Sequence, residues 1–250
     1  MIERRDNMLI TSTNNEHIKQ LAKLQNKKYR DESDVFLVET KHLVMEAYRE
    51  GLIKELILDK DELFPLDVET LYVSREVMRK LSSTNTPPKV MAVVYKKKEQ
   101  STYGEKILIL DNIQDPGNLG TIIRSAVAFN IDTIVLSPDT VDLYNPKVVR
   151  SNQGMMFHIN IIKRDPIIFI QELKQEGYKI VGTKVTNGHD VRESKIYSHF
   201  ALVIGNEGQG ISHDVDALCD EYLYIRMNEN CESLNASVAA SILMYEINNK

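Results

Sequence analysis

The sequence has little of what staples small or secreted domains. It holds 2 cysteines, Cys219 and Cys231, and no Cys-x-x-Cys pair. That excludes a disulfide framework and a cysteine-built zinc site, and it predicts a reducing, cytoplasmic compartment. The 6 histidines form no His-x-x-x-His pair, so no metal site is expected. No apolar run approaches the roughly 18 residues of a membrane helix, and the opening MIERRDNMLI lacks the apolar stretch of a secretory signal. Gly-x-Gly-x-x-Gly is absent, and so is a Gly-Lys-Ser/Thr phosphate loop, which argues against a conventional nucleotide-dependent enzyme. The net charge of −5 excludes a protein that simply coats nucleic acid.

What is present is enough apolar material, 42% of 250 residues, for one large or two small globular domains. Charge divides them. Residues 1–100 carry 18 Lys+Arg against 17 Asp+Glu, whereas residues 101–250 carry 13 against 19. The polar stretch 96–105 shows no apolar periodicity and reads as a linker between domains at 1–95 and 106–250.

In the first part, Ile18, Leu21 and Ala22 share one face of a helical pattern. Lys19, Lys23 and Lys27 recur on another, joined by Arg30. Strands are predicted at 35–38, 55–58, 71–73 and 90–94. Helices fall at 40–49, with Thr40 as cap, and at 75–81, giving a small α/β sandwich. In the second part, apolar strands at 107–110, 133–136, 159–162, 179–181, 200–204 and 222–225 alternate with helices. This pattern predicts a mostly parallel sheet covered on both faces, with ligands at the carboxyl ends of its strands.

Three loops follow such strands. Asp111–Gly120 runs into a helix for which Asn118 is a plausible cap, with Arg124 about two turns along. Gly205-Asn206-Glu207-Gly208-Gln209-Gly210 ends an apolar strand, and its glycines permit close backbone approach. Ile225–Leu234 leads into the last helix, which Ser233 is able to cap. Taken singly, each is no more than a turn or a capped helix.

Their order is more specific. Asn118-x-Gly-x-x-x-Arg124, then Gly-Asn-Glu-Gly-x-Gly at 205–210, then Ser-Leu-Asn-x-Ser-Val-Ala at 233–239 resembles the SpoU-type, or TrmH, 2′-O-ribose methyltransferases of the SPOUT class. The stretch Tyr144–Phe157, with Arg150, Gly154 and Phe157, is similar to a further stretch of that family. The resemblance spans about residues 107–250. Residues 1–95 are similar, less specifically, to the family's RNA-substrate-binding domain.

The resemblance implies a parallel α/β domain with a deep trefoil knot and a homodimer formed through the C-terminal domain. It implies S-adenosylmethionine as cofactor and structured RNA as partner, rRNA ahead of tRNA. Arg124, Asn118, Glu207, Ser233 and Asn235 match the family's catalytic positions. Gly205, Ile225 and Leu234 match backbone positions that hold the adenosyl part, with Met227 and Thr183 beside them. Lys19, Lys23, Lys27, Arg30 and Arg150 are the RNA-binding candidates. The family's proposed base is the arginine, but a guanidinium stays protonated. A phosphate grip and stabilisation of negative charge on the attacking oxygen suit Arg124 better.

Two positions depart from the family. Arg226 stands where it usually has proline, and Glu229 where it has glycine; a pairing between them is one expectation. The competing reading of the whole chain is a non-catalytic RNA-binding or ribosome-assembly protein on the same fold.

Overall fold

The computed structural model describes residues 9–195 and 197–249. The chain divides into two compact units. One comprises the chain up to Lys98 together with Tyr144–Phe157, and the other Glu99–Leu143 with His158–Lys250.

In chain order the elements are α1 (Glu16–Lys23), α2 (Lys27–Ser33), β1 (Val35–Glu39), α3 (Lys41–Arg49), β2 (Ile53–Asp59), β3 (Thr70–Val73), α4 (Arg75–Leu81) and β4 (Val90–Tyr95). There follow β5 (Lys106–Leu110), α5 (Pro116–Ala128), β6 (Thr133–Leu136), α6 (Pro146–Ser151), β7 (Asn160–Lys163), α7 (Pro166–Gln175) and β8 (Lys179–Thr183). The remainder is β9 (His189–Asp190), β10 (Phe200–Ile204), α8 (His213–Asp216), β11 (Glu221–Tyr224) and α9 (Ala236–Asn248).

The first unit is built on a sheet of order β1-β4-β2-β3. The β1–β4 and β4–β2 pairs are antiparallel and β2–β3 is parallel. One face is sealed by Ile18, Leu21 and Leu24 against Val77, Met78 and Leu81. On β1, Phe36 packs against Tyr144 (ring centroids 4.8 Å apart) and Phe157 (6.3 Å). The Tyr144–Phe157 stretch thus supplies aromatic packing to this unit, although it lies beyond β6 in the chain. Gly154, at φ +86°, has no room for a side chain, since a Cβ would come within 2.8 Å of Glu46.

The predicted lysine helix is two helices. Asn26, capping α2, separates them. Arg30 does not join the lysines at the surface. It is buried, 4% exposed, and its Nη1 donates to the carbonyls of Leu24 (2.7 Å) and Gln25 (2.8 Å). The reason is the break between the helices, where the carbonyls ending α1 need donors. Thr40 precedes α3 without a side-chain capping bond, its backbone at φ +92°. Tyr95, the last residue of β4, is exposed.

The second unit carries a seven-stranded sheet of order β7-β6-β5-β10-β8-β11-β9, parallel at every described pairing. Successive residues of β5 and β10, Ile107 to Leu110 and Ala201 to Val203, are all fully buried, so both faces are covered. α7 covers one with Phe169, Ile170 and Leu173. α5 and α9 pack together through a Ser125–Ser241 hydroxyl bond (2.7 Å) and the Phe129–Tyr245 ring pair. No helix among the described residues is long and apolar enough to cross a membrane.

Candidate active site

Because the central strands run the same way, their carboxyl ends fall on one edge of the sheet. β5 leads into Asp111, β10 into Gly205 and β11 into Ile225, while β8 ends at Thr183, and these four strands lie in the order β5-β10-β8-β11. The three loops singled out in the sequence therefore leave the same edge of the sheet, two from the neighbouring strands β5 and β10 and the third from β11, one strand beyond β8.

Their side chains form a chain of hydrogen bonds. The Glu207 carboxylate accepts from the backbone N–H of Gln114 (3.1 Å) and Asp115 (3.0 Å) and from Asn118 Nδ2 (3.0 Å). Asn118 Oδ1 accepts from Asn235 Nδ2 (2.9 Å). Asn235 Oδ1 then accepts from Ser237 N (2.9 Å), Val238 N (3.3 Å) and Ser237 Oγ (2.7 Å) at the start of α9. The direction of the chain is forced. An ionised carboxylate only accepts, so it fixes which end of each amide faces which neighbour. Partial burial would raise the Glu207 pKa. The Asn118 amide and the backbone N–H groups outweigh it and hold the carboxyl below its ordinary value.

Two expected caps are exchanged. Asp115, not Asn118, caps α5, accepting from Asn118 N at 2.9 Å, and the helix starts at Pro116. Asn235, not Ser233, caps α9. Asn118 is thereby moved inside the first turn, where its amide reaches across to the other two loops. Asn235 both caps and cross-links. Ser233 is exposed, its carbonyl accepting from Cys231 Sγ (3.4 Å).

Arg124 lies on the exposed stripe of α5, with Thr121 and Ala128. Its side chain has no hydrogen-bond or ion-pair partner among the described residues. Glu207 and Asn118 thus brace the loops rather than Arg124. The guanidinium remains available for an external anion.

Further braces had no strong sequence signal. Buried Asp111 accepts from Ser212 N (2.7 Å), and Asn206 Nδ2 donates to the Asn112 carbonyl (2.8 Å). Gly205 abuts its own loop so closely that a Cβ would lie 2.1 Å from Gly210 C and Ile211 N. Arg226 and Glu229 do not pair. Neither has a hydrogen bond or ion pair among the described residues, and Arg226 instead adds to the positive field on Asp190. Cys219 is no nucleophile, since burial pushes its thiol up to about 12.

Backbone groups at the strand ends fit an adenosyl-type ligand. Gly205 is buried, and among the described residues neither its N–H nor its C=O has a hydrogen-bond partner. The same holds for the half-buried Ile225, Met227 and Leu234. Buried backbone groups are nearly always paired, so this rim has donors and acceptors to offer a ligand. Thr183 is less free, as its Oγ1 donates to the Val203 carbonyl (2.9 Å).

The candidate RNA contacts lie in the other unit. Lys19 pairs with Glu16 (2.7 Å), Lys27 pairs with Asp31, and Lys23 donates to Gln20 (3.4 Å). Arg150 donates to Ser83 Oγ.

Comparison with known proteins agrees with this geometry. Residues 105–245 match the SpoU rRNA Methylase family, and residues 15–92 match the MRM3-like substrate binding domain. The 23S rRNA (guanosine(2553)-2'-O)-methyltransferase RlmP of Bacillus subtilis (strain 168) is 38% identical, over 95% of this chain and 98% of its own. Among solved structures, the AdoMet-bound rRNA methyltransferase from Sinorhizobium meliloti superposes with a TM-score of 0.87 at 28% identity, covering 97% of both chains. AviRb, a SpoU methyltransferase from Streptomyces viridochromogenes in complex with AdoMet, gives 0.85 at 26% identity, over 94% of this chain and 97% of its own. Three convergent loops, an amide-and-carboxylate brace and matches spanning both units make this chain a member of the SpoU rRNA methylase family.

Proposed function

We propose that this chain transfers a methyl group from S-adenosylmethionine to a ribose 2′-hydroxyl of structured RNA, with 23S rRNA ahead of tRNA as the substrate. The observation that carries the reading is the Glu207–Asn118–Asn235 chain, which ties three loops of one sheet edge at the start of α5, the helix that carries the unpartnered Arg124.

A ribose hydroxyl is a weak nucleophile, so alignment and charge stabilisation are the protein's task. The bound donor supplies an electrophilic methyl carbon on a cationic sulfur. Backbone groups of Gly205, Ile225, Met227 and Leu234 hold it, with Thr183 alongside. Backbone recognition explains why these positions are apolar or glycine, since no particular side chain is needed.

Arg124 stays protonated, grips an RNA phosphate and steadies the negative charge that grows on the attacking oxygen. Asn118 and Glu207 are positioning residues that keep the α5 turn rigid. Asn235 locks the start of α9, and Ser233, exposed beside it, offers a hydroxyl to the ribose.

We assign residues 1–95 to RNA binding, with Lys23 and Lys27 as exposed cations and Lys19 and Arg150 as half-buried ones; Arg30 is better read as a structural residue. A homodimer through the C-terminal domain is supported by Val238 and Tyr245, seven residues apart on α9 and both exposed. The knot of the C-terminal fold and a cytoplasmic site of action complete the reading, both following from family membership.

Incubating the chain with ribosomal RNA and labelled S-adenosylmethionine tests it. Label is expected in an alkali-resistant dinucleotide. Absence of donor binding by calorimetry would favour the non-catalytic alternative.

A further inference from the structure

Apart from the loop site, the first unit has a cavity of about 290 Å³. That is near the lower end of the ~300–1,000 Å³ usual for small-molecule sites, which suits one planar group rather than a duplex. Its floor is apolar, with Leu21, Leu24, Val35 and Val93 drawn from the core. Tyr29 is one wall, half-buried, with Lys23 Nζ 5.4 Å and Lys28 Nζ 5.9 Å from its ring centroid.

The polar feature is Glu55, 9% exposed, which lines the same cavity. His17 Nε2 contacts both its oxygens, at 2.9 and 3.1 Å. The β2–β4 register shifts between Ile53 and Glu55, an irregularity of the kind that re-aims a side chain. Lys54, within that irregularity, lies on the rim with its Nζ 5.9 Å from the Tyr95 ring centroid.

An apolar slot with an aromatic wall, a buried carboxylate and a lysine rim is matched to an unpaired nucleotide. The base stacks, the carboxylate reads its edge, and the lysines meet flanking phosphates. A carboxylate has about four lone-pair sites, and His17 uses one on each oxygen. The remainder suit two adjacent N–H donors. Guanine presents such a pair at N1 and N2; adenine and cytosine offer one amino group beside an acceptor, and uracil offers one N–H between two acceptors. An acidic peptide would instead meet Glu55 and Glu32 with like charge.

We propose that this cavity takes an unpaired guanine of the RNA substrate, stacked on Tyr29 with its N1–H and N2–H donated to Glu55. The proposal rests on the reading of the chain as an RNA-modifying enzyme. The guanine is a recognition contact distinct from the ribose at Arg124.

The test uses the full chain and fluorescein-labelled pentaribonucleotides UUGUU, UUAUU, UUCUU and UUUUU, with no methyl donor, read by anisotropy. UUGUU is expected to bind about tenfold more tightly than UUUUU, and Tyr29→Leu to cost roughly tenfold of that affinity. Tyr29→Phe should retain it. Glu55→Gln should bring the four probes close together while leaving the melting temperature near the parent's. Equal affinity of the parent for all four probes, or UUGUU binding unchanged by Tyr29→Leu, overturns the proposal. Because no donor is present, that failure leaves the methyltransferase reading untouched. Loss of methyl transfer with selective binding retained sinks only the latter.

Discussion

The two units solve the problem of gathering distant residues in opposite ways. In the second, a parallel sheet sends every loop of one kind to the same edge. Residues 89 and 117 positions from Asn118 then meet its amide within 3.0 Å. In the first, antiparallel pairs alternate strand directions, so loops scatter to both ends. Its polar groups are gathered instead by helix reversals and a strand irregularity, as at Arg30 and Glu55. The lesson is that a parallel sheet builds an exact brace from loops, whereas a mixed sheet leaves its cations locally paired and replaceable.

The sharpest way to break this comparison is to remove Arg124. Arg124→Ala is expected to lower the rate of methyl incorporation about 10²–10³-fold, the usual cost of a lost charge-stabilising donor. Because the side chain is exposed and unpartnered, the melting temperature should stay within a degree or so of the parent. A rate equal to the parent's would remove Arg124 from the site.

Next comes the brace. Asn118→Asp sets a second carboxylate against Glu207 in a buried position and should cost about 1–3 kcal/mol. At ~2–4 °C per kcal/mol for a chain of this size, calorimetry will see it. A neutral outcome would mean that the loops hold without the amide.

Acid titration should also register the depressed carboxyls of the second unit. Asp190 carries its Arg192 contacts in the second unit, which hold its carboxyl at about 2 against an ordinary 3.8. A depressed folded-state pKa adds stability that is complete above ~3.8 and is lost as pH falls towards 2. Glu207, also depressed, adds a loss beginning below its ordinary 4.5. Melting temperature should therefore drop through this window, and Asp190→Asn should flatten part of the drop.

The smallest effects belong to the first unit's lysines. Lys19→Ala, Lys23→Ala and Lys27→Ala should each weaken RNA binding a few-fold and flatten its salt dependence by up to ~0.7–0.9 per lost phosphate contact. Unaltered salt slopes in the triple variant would reduce these lysines to a solvated face.

Much of this is legible in the sequence. Apolar runs such as Ile107–Leu110 and Phe200–Ile204 announce buried parallel strands because both faces must be covered. The helix at 75–81 is legible because helical period is a local property, and its cap Ser74 is supplied by the structure. The order of the three motifs picked out Asn118, Glu207 and Asn235, which hydrogen bonds join in the fold. Less legible were the caps. Asp115, Asn118, Ser233 and Asn235 are all competent cap residues, and local chemistry ranks them nearly equal. Tertiary contacts chose among them, since the Asn118 amide is taken by Glu207 and Asn235, which leaves Asp115 to cap α5. The role of Arg30 escaped because a periodic cation pattern assumes one continuous helix.

The chain by itself determined its alternation of strands and helices, the residues at the strand ends and their chemical types. These depend on propensity and period within a few neighbours. Tertiary structure alone decided that Glu207, Asn118 and Asn235 join head to tail, that Tyr144–Phe157 packs with the first unit, and that Glu55 lines a slot. Each of those is a meeting of segments far apart in sequence, fixed by strand order and by which polar groups burial left in need of partners.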